Sequence, residues 1–252
     1  MLKVQAVHKR YKKKTVLNDC SFSLGPYQIL GVFGHNGCGK STLFRIIAGI
    51  IQPDGGHVEV KRSSVAYMPE QRSLLVDLSL KKQALFMGQL AGMDEEGIDL
   101  RVKALSECFG FSELIDRPMK TLSKGNQQKA QLILTLLKDP KILILDEPFN
   151  GLDYQSQKEL TSWIKNFAQQ GKTVLISSHQ LNHMNGLCDE ILILDHGTTI
   201  RQGSLHTLRE QTHHYSVRVN VDSNWKDFAL PYASMKALED QIEFRFTSLV
   251  QA

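Results

Sequence analysis

Apolar positions change their spacing several times along this chain, and each change predicts an element. Residues 2–7 and 16–24 alternate loosely between apolar and polar, the period of a strand with one buried face. Gln28-Ile29-Leu30-Gly31-Val32-Phe33 is a short apolar run and predicts a buried strand. The spacing then turns helical. Leu43, Ile46, Ile47 and Ile50 share one face, and Gly49 and Pro53 mark where that helix stops. Residues 57–60 and 64–68 predict two more strands, and Met68-Pro69-Glu70-Gln71 breaks the second.

Residues 74–138 read as helix only. The pattern predicts helices over Leu80–Leu90, over 98–109 with Gly110 as the C-terminal stop, and over 125–138 with Ser123 as the N-cap. Asp139-Pro140 turns the chain into Ile142–Leu145, a fully apolar strand. A helix over 155–170, closed by Gly171, and a buried strand over 173–177 follow. A hairpin over 190–194 and 199–202 turns at Asp195-His196-Gly197, and a short helix covers Leu205–Glu210. Strands interleaved with helices predict an α/β domain over 1–212, with a helical block at about 72–138 inserted into it. Residues 215–221 and 242–246 alternate again, so 213–252 read as a small β-containing extension. His213-His214 has no further ligand spacing around it and reads as solvated turn.

The strand over 28–33 and the helix after it flank Gly34-His35-Asn36-Gly37-Cys38-Gly39-Lys40-Ser41-Thr42. This run fits G-x-x-x-x-G-K-S, a phosphate-binding loop, in the strand-to-helix context the motif requires. Glycines let the backbone approach an anion, and the helix start adds about half a positive charge. Lys40 supplies a full cation to β- and γ-phosphates, and the Ser41 hydroxyl is a Mg²⁺ ligand. The strand at 142–145 ends in Asp146-Glu147, two carboxylates at a strand's C-terminal edge, where open α/β sheets bind ligands. Asp146 is the candidate metal anchor and Glu147 the candidate base or water-orienting group. Cys38 lies inside the loop, so a ligand filling the loop is expected to block its alkylation.

Composition narrows the classes. The chain has 252 residues, with 30 Lys plus Arg against 26 Asp plus Glu, a formal charge of +4. That excess is too small to point to nucleic acid. The four cysteines form no C-x-x-C pair, which makes a reduced, cytosolic protein the expectation. Residues 1–14 carry charges throughout and do not resemble a signal peptide, and no apolar run approaches the ~20 residues of a membrane span. Any membrane role is therefore expected to come through a partner. The run Lys9-Arg10-Tyr11-Lys12-Lys13-Lys14 reads as a solvated basic turn, or else as Tyr11 offering a flat face to an adenine ring.

Taken in order, these motifs resemble the ATP-binding subunit of an ABC transporter over about residues 1–210. Ser123 stands 23 residues before Asp146, and His179 stands 33 residues after it, spacings similar to the family's. The resemblance implies the P-loop ABC ATPase core, a mixed sheet with flanking helices and an antiparallel β edge. It implies that Tyr11, with Val16 beside it, stacks on adenine. Residues 34–42 are then the Walker A loop, Asp146 the Walker B metal ligand, Glu147 the catalytic carboxylate, Gly151-Leu152-Asp153 the D-loop and His179 the switch histidine. Leu122-Ser123-Lys124-Gly125-Asn126 resembles the signature motif, with Lys124 and Asn126 in place of the common residues and Ser123 and Gly125 kept. That L-S-K-G form resembles the ABC-2 type exporter ATPases. At the Q-loop, Glu70 takes the glutamine's place and Gln71 follows it, so either is a candidate to reach the metal or its water. The implied cofactors are ATP and Mg²⁺. The implied partners are a second ATPase subunit, whose Ser123 segment closes the pocket, and membrane permease subunits; the protein then sits on the cytoplasmic face of the membrane. The alternative is a soluble ABC ATPase acting on ribosomes or DNA. No N-K-x-D guanine motif is present for a GTPase.

Overall fold

The computed structural model describes residues 2–210, 215–220, 234–237 and 241–246. Contacts divide the chain into two compact units, Met1–Gly203 and Ser204–Ala252.

The first unit begins with a hairpin, β1 (Leu2–Tyr11) and β2 (Lys14–Leu24), paired antiparallel. The two strands continue through the basic run, which corrects the expectation of a solvated turn over 9–14. Tyr11 pairs with Lys14, so the connection shrinks to two residues, with Lys12 at φ 54°. Next come β3 (Ile29–Phe33), α1 (Lys40–Ile47), β4 (Gly55–Glu59) and β5 (Val65–Met68). The helical block holds α2 (Leu80–Leu90), α3 (Glu95–Cys108) and α4 (Lys124–Thr135). Then follow β6 (Ile142–Leu145), α5 (Tyr154–Gln169), β7 (Thr173–Ser178), β8 (Glu190–Asp195) and β9 (Thr198–Gly203).

One six-stranded sheet runs in the order β5-β6-β7-β3-β8-β9, parallel except for β9. A separate antiparallel sheet has the order β2-β1-β4. The strands of the large sheet alternate between two cores. Ile142, Ile144, Leu175, Leu30 and Val32 face α1 and the antiparallel sheet. Leu143, Leu145, Val174 and Ile176 face α5 and the helical block. Both faces of β6 and β7 are covered, which is why their sequences are continuously apolar rather than alternating.

Helix ends depart from the pattern in ways the backbone explains. Ile50 lies beyond α1 and is exposed, because Gly49 at φ 76° reverses the chain and its N–H bonds back to Ile46 O. α4 stops at Thr135, three residues before the expected end. The residue before Pro140, Asp139, sits at φ 50° and cannot extend a helix, while Leu136 and Leu137 stay buried outside it. α3 starts earlier than expected, because Asp94 caps it through Gly97 N at 2.7 Å.

Within the second unit the described elements are α6 (Leu205–Glu210) and a three-stranded antiparallel sheet of β10 (Tyr215–Asn220), β11 (Ser234–Ala237) and β12 (Gln241–Phe246), in the order β10-β12-β11. β10 and β12 fall where the alternation put strands; β11 had no such signal. His213-His214 and residue 221 lie outside the described residues.

Candidate nucleotide-binding site

Parallel pairing brings three chain segments to one edge of the large sheet. Phe33 at the end of β3 pairs with Ser178 of β7, and Leu145 at the end of β6 pairs with Ile176. The loop at 34–39, the pair Asp146-Glu147, and His179 therefore leave adjacent strands at the same C-terminal edge.

The loop is shaped by what surrounds it. A Cβ on Gly34 would strike Leu194 O, and Gly39, at φ 116°, would set one 2.8 Å from Val16 O. Only glycine allows both approaches. Gly39 is also the N-cap of α1 and offers no side chain to the helix start. The contrast is within the molecule: α2, α3, α4 and α5 are each capped by a Ser or Asp side chain, from Ser79, Asp94, Ser123 and Asp153. Among the described residues, the N-cap position of α1 makes no side-chain cap bond, and no acidic residue lies in its first turn. That is the form of a helix start built to take an anion.

Lys40 is buried. Its ammonium donates to Gly34 O at 2.8 Å and His35 O at 3.3 Å, and lies 3.2 Å from Glu147 Oε1. Glu147 holds φ 47°, a left-handed conformation rarely taken by non-glycine residues, and its N–H donates to Ser177 Oγ at 2.8 Å. Its Oε2 lies 3.0 Å from His179 Nδ1, and Oε1, though beside Lys40, receives no hydrogen bond. Asp146 is 1% exposed. Its Oδ1 accepts from the Ser177 hydroxyl at 2.7 Å and its Oδ2 from the Tyr67 hydroxyl at 3.0 Å. Burial, and then the Asp146 charge, push the Tyr67 phenol up to about 12, so it stays protonated and donating.

A cavity of about 340 Å³ lies over these groups, lined by Tyr11, Val16, Asn36, Gly37, Gly39, Lys40, Ser41, Thr42, Glu70 and Glu147. Tyr11 and Val16 reach it because the turn end of the β1–β2 hairpin lies against the loop. Glu70 lines the cavity and accepts from Asn150 Nδ2 at 3.1 Å, whereas Gln71 is exposed and not part of the lining. Gly34, His35 and Cys38 contribute backbone to the loop but do not line the cavity. The Cys38 thiol turns inward and is 1% exposed, which corrects the expectation of a reactive thiol in the loop. Burial raises its pKa; Lys40 only partly opposes that. Ser123 and Gly125, at the start of α4, are not in the lining; Ser123 is exposed and accepts from Asn126 N at 3.3 Å. A larger hollow of about 720 Å³, bounded by Tyr27, Ile29, Lys165, Gly171 and Asp189, opens at the other end of the strands, away from the acidic pair.

Three residues that complete the site were not singled out in the sequence. Tyr67 and Ser177 fix Asp146, and Asn150 fixes Glu70. The strand register would have revealed Ser177, which stands beside Asp146 once Leu145 pairs with Ile176.

An uncapped glycine-lined helix start, a buried lysine and an acidic pair on the adjacent strand define a nucleoside triphosphatase of the P-loop class. The ABC transporter family model matches residues 17–150. An uncharacterized ABC transporter ATP-binding protein of Methanocaldococcus jannaschii is 39% identical over 82% of this chain and 79% of its own length. The Nod factor export ATP-binding protein I of Ralstonia nicotianae is 31% identical over 82% of this chain and 68% of its own. A solved structure of an ATP binding subunit of an ABC transporter superposes with TM-score 0.76 and 27% identity, covering 84% of this chain and 92% of that one. The chain belongs to the ABC transporter family, as one of its ATP-binding subunits and an ATPase.

Proposed function

We propose that this subunit powers a separate membrane permease of the exporter type, in a pair of ATPase subunits on the cytoplasmic face of the membrane. The observation that carries the nucleotide chemistry is the uncapped start of α1 beside Lys40, Asp146 and Glu147, under a cavity that also contains Tyr11. Relatives named for export, such as the Nod factor protein, support the exporter reading, as does the L-S-K-G form at 122–125.

The geometry supports the following roles. Tyr11, 46% exposed at the rim, offers its ring to adenine, with Val16 beside it. The N–H groups of Gly37, Gly39, Lys40, Ser41 and Thr42 and the Lys40 ammonium hold the phosphates. The donors suit Mg²⁺: Asp146 gives hard carboxylate oxygens already oriented by Ser177 and Tyr67, and Ser41 a hydroxyl, with Glu70 at the cavity wall. Bound there, the ion supplies charge neutralisation for the transferring phosphoryl group. Glu147 orients and deprotonates the attacking water, and His179 holds its carboxylate through Nδ1.

Ser123, exposed, and Gly125, half-buried, stand at the start of α4 away from this chain's own cavity and serve the nucleotide of a second subunit. The helical block docks on the permease. Leu75, Val76, Phe86, Met87 and Leu90 are all exposed there, and a groove of about 360 Å³ runs beside them from Tyr67 and Pro69 to Leu74 and Gln131. No helix among the described residues is long and apolar enough to cross a membrane. Residues 213–252 then form an appendage to the ATPase domain at 1–212.

Affinity purification of the full chain from detergent-solubilised membranes tests this. A polytopic membrane protein recovered in stoichiometric amount with ATPase activity is expected; recovery with ribosomes or DNA instead would overturn it.

A further inference from the structure

We propose that His35, Asp195 and His196 form a binding site for one divalent transition-metal ion of the zinc class, tying the phosphate loop to the β8–β9 turn. One ligand atom from each lies within 4.8 Å of the other two. His35 Nε2 is 3.2 Å from Asp195 Oδ1, and His196 Nε2 is 3.9 Å from the same oxygen. Ligands at ~2.0–2.1 Å in a tetrahedral zinc site stand about 3.3 Å apart. The His35–Asp195 pair already has that spacing. The His196 side chain is 85% exposed and has room to swing in.

The orientation of His35 points the same way. Its Nδ1 lies 2.8 Å from Asn36 O, and a carbonyl only accepts, so Nδ1 carries the proton. In the neutral ring the Nε2 lone pair then faces the Asp195 carboxylate. A metal ion, or a second proton on the ring, makes that contact attractive. A backbone carbonyl on one ring nitrogen and the metal on the other is how ligating histidines are held. Two imidazoles and one carboxylate suit Zn²⁺, Ni²⁺ or Cu²⁺ rather than Mg²⁺.

The backbone holds the two halves in place. His196 and Gly197, at φ 45° and 77°, make the tight turn between β8 and β9. Gly197 N donates to Cys38 O at 2.9 Å, and Gly197 O accepts from Asn18 N at 2.8 Å. The turn is thus already fastened to the phosphate loop, and the ion adds a side-chain cross-link between the same two segments. This site is separate from the Asp146 carboxylate, which faces Ser177 and Tyr67.

The test is calorimetric titration of full-length, metal-stripped protein with Zn²⁺ alone, without nucleotide. One Zn²⁺ is expected to bind with micromolar or tighter affinity, with an excess of Mg²⁺ failing to displace it. Asp195→Asn and His196→Gln each weaken it by about tenfold or more. His57→Gln, Cys108→Ser and the double variant His213→Gln/His214→Gln leave it unchanged. A second measurement needs no variant: ring ¹H–¹⁵N spectra of wild-type protein show the His35 and His196 signals shifting in step with added Zn²⁺. The proposal is overturned if Zn²⁺ binds no tighter than about 0.1 mM, if the Asp195 and His196 variants bind like wild type, or if one of the control variants abolishes binding.

Discussion

Lys40 and Glu147 meet as a buried ion pair, Nζ to Oε1 at 3.2 Å, with side chains only 6% and 5% exposed. The hydrogen bonds of Lys40 go to loop carbonyls, and Glu147 Oε1 receives none. The pair therefore joins the cation proposed to hold phosphate to the carboxylate proposed to act on water, so a triphosphate entering the loop would compete with Glu147 for the same ammonium. Removing the lysine takes away charge-assisted bonds worth about 1.5–3 kcal/mol. Lys40→Ala is expected to weaken ATP binding by at least about 10–100-fold in equilibrium dialysis. Unchanged affinity would remove the loop assignment.

Ser177 is the second joint. Its hydroxyl donates to Asp146 Oδ1 and accepts from Glu147 N–H, so one buried side chain positions both acids. Ser177→Ala leaves a buried N–H and a carboxylate oxygen short of a partner, at a cost of about 1–3 kcal/mol. The melting temperature should fall by about 2–12 °C, and Mg²⁺-dependent turnover should drop as well. Thermal melting and steady-state hydrolysis read the two effects; a variant matching wild type in both would show that Ser177 positions neither acid.

Much of this was legible in the sequence, for physical reasons. Periodicity located the strands at 142–145 and 173–177, the second one residue short of its observed end, and the helix at Leu80–Leu90, because burial on one face or both leaves a clear apolar pattern. The motif at 34–42 was readable because its glycines are demanded by close backbone contacts with Leu194 and Val16. What escaped depends on pairing between distant segments. No local pattern joins Tyr67 or Ser177 to Asp146, and the Tyr11 ring comes to the loop only through the β1–β2 hairpin. The direction of a side chain escaped too: Cys38 lies in a loop that faces ligand, yet its thiol faces the core.

That orientation has a measurable consequence. Burial raises the Cys38 pKa above the ordinary thiol value, so at neutral pH the thiolate is scarce and shielded. Cys108 is exposed. With a maleimide at neutral pH, Cys108 should react quickly and Cys38 slowly, whether or not ATP is present. Because the shift is upward, Cys38 labelling should rise only as pH climbs past the usual thiol range. Peptide mapping after timed labelling gives both rates; fast labelling of Cys38 that ATP suppresses would contradict the buried orientation.

If Glu147 acts on water while the loop and Lys40 hold the nucleotide, binding and hydrolysis must separate when Glu147 is changed. ATP binding and ATP hydrolysis measured side by side on wild type and Glu147→Gln, each with its partner subunits, test it most directly. The account predicts that the variant binds MgATP with wild-type affinity or better and hydrolyses it about 10²–10⁴-fold more slowly. Hydrolysis at the wild-type rate, or loss of binding together with turnover, would contradict it.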